Sequence, residues 1–354
     1  MNTSTPSEAL GAARDPWLDA VRGVSVLAMV LGHTLDLTLV SGVREHPLVV
    51  LYWSLRGLTA PLFLVIAGWA LVSSFGPGDP GVVGRRLRRA ALVLALGYGL
   101  HWPGLSAALA MANEGTLWPH LLAFDALPCI GWCLVAGVLL LWLFPRGEGR
   151  IGALGTLAIW IPFAAALASS VVTGAGWLWR GLLGHPEAHF PLLPWSGFFF
   201  LGAALCLLVA RLGARRHRAM ALLLAGGLLL LLLERTDLES WTPGSPWPVF
   251  YRMGQVMLVL GILCLARVER LPGLLALGRN SLGIYVAHLV LLYGWAGGQG
   301  LGARWERDLP PAGAVGLALL VLGSSFGLAR MVPGALDWLE RTASPTWVQP
   351  PRDG

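Results

Sequence analysis

The chain has 354 residues, of which 56% are hydrophobic and only 12% charged, with a formal net charge of +6 and a mean hydropathy of +0.67. Soluble domains carry about 25% charged residues, so the composition excludes an ordinary soluble enzyme. It points to an all-α polytopic membrane bundle with little mass outside the bilayer. Nor does the positive charge imply nucleic acid: every basic residue is an arginine, and the arginines gather in short loops between apolar runs, where they read as topology signals.

Residues 1–16 are polar without a basic start, and the apolar stretch after them is too long for a cleaved signal peptide. About ten hydrophobic segments then follow, near 17–40, 48–75, 87–110, 121–145, 151–173, 191–211, 217–234, 247–268, 273–296 and 312–340. They predict one transmembrane domain over 17–340, flanked by the polar segment 1–16 and a short tail, 341–354. His101-Trp102-Pro103 interrupts the third segment and Pro333 the last. Loops on one side carry twelve arginines (Arg85, Arg86, Arg88 and Arg89 form the densest group), against five on the other. By the positive-inside rule the richer side is cytoplasmic, and an even number of spans puts both termini there.

The first segment carries Asp19, Arg22, His33 and Asp36. At 100° per residue these four fall within an arc of about 100°, one polar stripe on an apolar rod. Ionisable groups at the centre of a membrane helix cost roughly 2.5–3.5 kcal/mol each on insertion scales, so they face the protein interior and mark function. Arg22 lies near the cytoplasmic face, with His33 about 16 Å further along. Histidine can gain or lose a proton near neutral pH, and Asp36, one turn on, is placed to orient it as a base–orienter pair.

Other polar residues inside predicted segments are Arg56, Thr59, Asp125, Arg252, Gln255, Arg279, Asn280, Ser281, Tyr285 and His288. The bland expectation for Arg56, Asp125 and Arg252 is acid–arginine pairing that fixes helix register. Ser281, Tyr285 and His288 recur at i, i+4 and i+7 on one helix face, while Asn280 suits a helix N-cap. The four cysteines, Cys129, Cys133, Cys206 and Cys264, lie inside predicted helices without a CxxC, which supports neither a disulfide framework nor a zinc site. In the loop 174–190, His185, Glu187 and His189 form no firm ligand pattern, so no metal is expected.

Leu18-Asp19-x-x-Arg22-Gly23 followed by Gly32-His33 resembles the signature of the transmembrane acyltransferase superfamily, with the arginine-to-histidine spacing of the acyltransferase-three family. Phe63-Leu64-Val65-Ile66-Ala67-Gly68 is similar to that family's Phe-rich run, with Ala67 where a serine is common. Leu277-Gly278-Arg279-Asn280-Ser281-Leu282-Gly283-Ile284-Tyr285-x-x-His288 resembles the late-helix motif. The run from Phe190 to Gly202 looks more like the heparan-α-glucosaminide N-acetyltransferase branch, whose loop histidine would correspond to His46.

The resemblance implies acyl transfer, usually acetyl, from a cytoplasmic donor such as acetyl-CoA to a carbohydrate or glycolipid acceptor at or beyond the outer face of a bacterial inner membrane. In that frame His33, Asp36 and His288 are the catalytic candidates. Arg22, Asp19, Arg279 and Ser281 would hold the donor, and Arg56 and Tyr285 the acceptor. His33 acting as base, His33 carrying the acyl group, and His46 replacing it are all open at this stage, as is a homodimer. The rivals are a secondary transporter, which broken helices at matching places in two inverted halves would favour, and a non-catalytic scaffold.

Overall fold

The structure is a computed structural model that describes residues 15–75, 81–144, 148–169, 176–183, 190–212, 216–233 and 245–331. Most of the polar segment 1–16, the tail 341–354, Pro333, and the loop residues His185, Glu187 and His189 lie outside the described residues. In chain order the helices are α1 (Pro16–Thr38), α2 (Pro47–Arg56), α3 (Thr59–Ser73), α4 (Val82–Leu100), α5 (Leu105–Asn113), α6 (Leu117–Leu121), α7 (Ala126–Leu143) and α8 (Glu148–Ser169). Then come α9 (Trp177–Leu183), α10 (Leu192–Arg211), α11 (Arg216–Leu233), α12 (Trp247–Leu265), α13 (Pro272–Arg279), α14 (Ser281–Tyr293), α15 (Leu301–Arg304) and α16 (Pro311–Met331). Among the described residues the only β pairing is an isolated bridge between Leu39 and Leu309.

Among the described residues six helices are long and apolar enough to cross a membrane, or up to eight if each of two bent pairs is one span. Two shorter apolar helices, Thr59–Ser73 and Arg218–Leu232, stand where the second and seventh segments are expected. The architecture is therefore the expected all-α polytopic bundle, but three of its segments are broken. Segment two stops at Gly57, the C-cap of α2. Segment three breaks at His101–Gly104, where Pro103 lacks an N–H and disfavours helical geometry in the residue before it; α4 and α5 meet there at 83°. Segment nine breaks at Asn280, with α13 and α14 at 74°. Asn280 does occupy the N-cap position of α14, but its side chain turns back to donate to Ala276 O at 2.8 Å and caps nothing forward.

Helix α1 is the axle of the bundle. Asp15 caps it by accepting from Trp17 N at 2.9 Å, and Pro16 sits at the position where its missing N–H is harmless. At its near end Leu18, Ala20 and Val21 join an apolar core built around Phe198, Phe199 and Ile66. At its far end Val26, Met29 and Val30 pack with Ile284, Leu292, Leu317 and Val321. Its buried hydroxyls are satisfied within the helix: Ser25 donates to Val21 O, Thr34 to Val30 O and Thr38 to Thr34 O, which lets them sit in an apolar interior. The last carbonyls of α1, which a helix leaves without partners, accept from Arg307 N, Leu309 N and the Arg44 side chain.

Several helix crossings among the described residues are closer than side chains allow, and the two tightest against backbone join motif stretches. Where α3 crosses α10, a Cβ on Gly68 would lie 1.9 Å from Phe199 O, and one on Gly202 would lie 1.9 Å from Val65 O. Where α1 crosses α13, a Cβ on Gly23 would lie 2.1 Å from Leu274 O, and one on Gly278 would lie 1.7 Å from Asp19 O. Small residues let helix backbones meet in this way in membrane bundles.

Candidate active site

The crossing of α1 and α13 sets the charge at one end of the site. Asp19 is 1% exposed. Its Oδ1 takes a hydrogen bond from Arg22 Nη1 at 3.1 Å, and its Oδ2 lies 3.6 Å from Arg279 Nε. One buried carboxylate thus holds two guanidinium groups from different helices, which neutralises it and fixes both arginines. The Arg279 side chain stays 56% exposed, so it retains outward N–H groups in the planar fork that suits phosphate or carboxylate. Ser281 opens α14 two residues later. Asp19, Arg22 and Arg279, read from distant stretches of sequence, therefore gather at one end of the bundle, with Ser281 two residues further along the chain.

Eleven residues further along α1, about 16 Å at helical rise, the His33 ring meets α14. Its centroid is 5.4 Å from that of His288, at 44°, and 5.9 Å from that of Tyr293, nearly perpendicular. His33 Nδ1 is 3.0 Å from the Tyr293 hydroxyl. His288 is fully buried, with Tyr285 edge-on at 5.6 Å. Its Nδ1 lies 3.0 Å from Ile284 O; a carbonyl can only accept, so Nδ1 carries the proton and Nε2 presents a lone pair. That Nε2 is buried and finds no hydrogen-bond partner among the described residues. An orphaned buried acceptor costs roughly 1–3 kcal/mol, a cost of the kind found where a site is built for a ligand or for chemistry. The arrangement can bind an anion at the arginine end and take up a proton at the histidine end.

Asp36, expected to orient His33, has Arg44 beside it: the carboxylate is 3.8 Å from Arg44 Nη1, and the Asp36 carbonyl also accepts from that side chain. His46 caps α2, its Nδ1 accepting from Leu48 N at 3.3 Å, which gives it a structural task. Asp125 is the N-cap of α7 and lies 3.8 Å from His101 Nε2 at the α4–α5 break. Arg252 donates to Gln255 at 2.9 Å. Arg56 ends α2, but its side chain lies outside the described residues. All four cysteines are buried, and no group of three or more His, Cys, Asp or Glu side chains among the described residues could hold a metal.

Two participants escaped the sequence reading. Tyr293 lies 140° around the helix from His288 at 100° per residue, off the face that Ser281, Tyr285 and His288 share, so a one-face pattern passes over it. Arg44 reads as a loop topology charge, and only the fold turns it back onto α1.

Taken together, the helices and the site define a multi-pass membrane protein whose first helix anchors Arg22 and, across to α13, Arg279 on one carboxylate, and further along sets His33 against His288 of α14. The family model for the acyltransferase-three type, described as an acyltransferase domain, matches residues 15–330, and the chain belongs to that family. It is, at that level, a membrane acyltransferase, and of the two branches its motifs resemble, acyltransferase three is the one matched. No curated protein matches the sequence.

Proposed function

We propose that the protein moves an acyl group, acetyl in the first instance, from a cytoplasmic acyl-CoA to a carbohydrate or glycolipid hydroxyl or amine at or beyond the outer face of a bacterial inner membrane. The observation that carries this reading is the pairing of His33 and His288 at 5.4 Å inside the bundle, on the helix whose other end holds Arg22 and Arg279 at Asp19. The arginines suit the donor's phosphates, and the donor's pantetheine arm would run along α1 to bring its thioester to the histidines.

In the reaction, the acceptor oxygen or nitrogen attacks the thioester carbonyl carbon while its proton passes to the His33 imidazole. The tetrahedral intermediate collapses with cleavage of the C–S bond, and the thiolate takes the proton back from the imidazolium. General-base catalysis of this kind contributes typically 10²–10⁴-fold. The His46 alternative is disfavoured by its capping bond.

Purified protein in detergent tests the reading. Acetyl-CoA turnover in the presence of amino sugars and hexoses should appear in the wild type and vanish in His33→Ala with the melting curve preserved. Uptake into vesicles without turnover would establish a carrier instead. The two bent pairs are third and ninth in segment order, not at matching places of two five-segment halves, which speaks against that rival.

A further inference from the structure

We infer that Tyr293 is a positioning residue for His33, holding its proton on Nδ1 and leaving the Nε2 lone pair to act on substrate; this rests on the reading of His33 as the base. The geometry is direct: Nδ1 and the hydroxyl are 3.0 Å apart with the rings at 85°, so the phenol oxygen meets the nitrogen edge of the imidazole and not its face.

A phenol can donate or accept; we assign it the acceptor role on the following grounds. Tyr293 is 48% exposed and is the last residue of α14, so its own proton need not point at His33. An Nδ1–H donor persists in both neutral imidazole and imidazolium, so the same bond survives the whole proton cycle without the hydroxyl turning over, as a preorganised site requires. Finally, His288 packs on His33 at 5.4 Å and restrains the ring from turning to exchange its nitrogens. The phenol thus does with a neutral oxygen what a carboxylate does in an acid–histidine pair, fixing tautomer and orientation. A neutral partner adds no further charge to the interior, where ionised groups are costly.

The test is nitrogen NMR of full-length protein in detergent with labelled histidine, the His33 signals assigned by their loss in His33→Asn. The wild type should show His33 with the proton on Nδ1, and Tyr293→Phe should show the proton population moving to Nε2. Wild-type His33 protonated on Nε2, or a tautomer population unchanged in Tyr293→Phe, would overturn the proposal, and neither readout needs turnover. Kinetics add a second arm: with acetyl-CoA as donor, Tyr293→Phe should lower kcat about tenfold, the loss of one hydrogen bond to a charged group, with the donor KM held within about twofold. An unchanged kcat overturns it. If the wild type turns over no acetyl-CoA at all, the functional reading fails while the tautomer measurement still decides the role of Tyr293.

Discussion

Gly278→Ala is the sharpest test of the site's construction, because it adds one methyl group at the point where α13 touches α1. The new Cβ would lie 1.7 Å from Asp19 O and 2.6 Å from its carbonyl carbon, whereas carbon and oxygen approach to about 3.3 Å at the closest in ordinary contacts. Backbone cannot swing aside as a flexible side chain can, so the helices must part by roughly 1.5 Å. Overpacking of this kind costs about 1–3 kcal/mol, a factor of roughly 5–150 in the folding equilibrium. The same displacement carries Arg279 away from Asp19, stretching their 3.6 Å contact beyond ion-pair range. Gly273→Ala is the matched control: it lies on the same short helix with nothing within 4 Å of its Cβ, and it removes a residue that costs a helix roughly 0.5–1 kcal/mol relative to alanine. Thermal unfolding in detergent, followed by tryptophan fluorescence, and acyl-CoA turnover on the same samples are the assays. Gly278→Ala should melt earlier and lose donor affinity, and Gly273→Ala should match the wild type or exceed it. Equal behaviour of the two variants would show that the crossing is not the tight contact described.

Four further outcomes are expected. Asp19→Asn leaves Arg22 and Arg279 without their shared counter-charge, and should raise the donor KM more than it lowers kcat, as steady-state kinetics over donor concentration will show. His288→Phe replaces a buried imidazole whose Nε2 lacks a partner with an apolar ring; it should leave the melting temperature equal or higher while cutting turnover at least tenfold, and a variant both stable and fully active would remove His288 from the site. If neutral His33 is the base, the rate should fall as pH drops, since protonation removes the lone pair; a pH-independent rate, with chemistry shown to be rate-limiting, counts against it. Gly68→Ala and Gly202→Ala should lower the melting temperature as Gly278→Ala does but leave turnover per folded molecule unchanged, because their crossing bears no charged group.

Much of the site was legible because α-helical period and insertion cost are local properties. Asp19, Arg22 and His33 stand on one stripe of one helix, and a stripe of ionisable residues in an apolar rod has to face inward. Ser281, Tyr285 and His288 could be grouped for the same reason. Partner choice was less legible, since it depends on which helices cross. Asp36 has a histidine one turn away in sequence, yet the return of the chain after α1 brings Arg44 against it, a cation well suited to a helix C-terminus. Asp125 reads as a buried acid only if segment four is one uninterrupted helix; the structure begins α7 one residue later, so the carboxylate accepts from Ala126 N at 2.7 Å. The break at His101–Gly104 was visible in Pro103, but its 83° angle was not, because proline states where a helix stops and not where the chain goes next.

The four stretches that carry the family resemblance pair off in space, and the two pairs do different work. Gly68 from the Phe-rich run and Gly202 from the later aromatic run each meet the other's helix backbone, surrounded by Ile66, Phe198 and Phe199; nothing in that contact can bind or transfer a group, and Ala67 in place of serine adds no hydroxyl to it. Gly23 and Gly278 make the equivalent contact between the first and last stretches, but there the neighbours are Arg22, Asp19 and Arg279. A motif spanning both pairs therefore records two constraints: a packing rule that sets how close the central helices lie, and a charge rule that uses the same closeness to bring two arginines to one carboxylate. On the proposed function, only the second bears directly on chemistry. It also explains why Gly278 and Arg279 are neighbours in sequence: the glycine brings the backbone in, and the next residue, at the end of α13, is then within reach of Asp19.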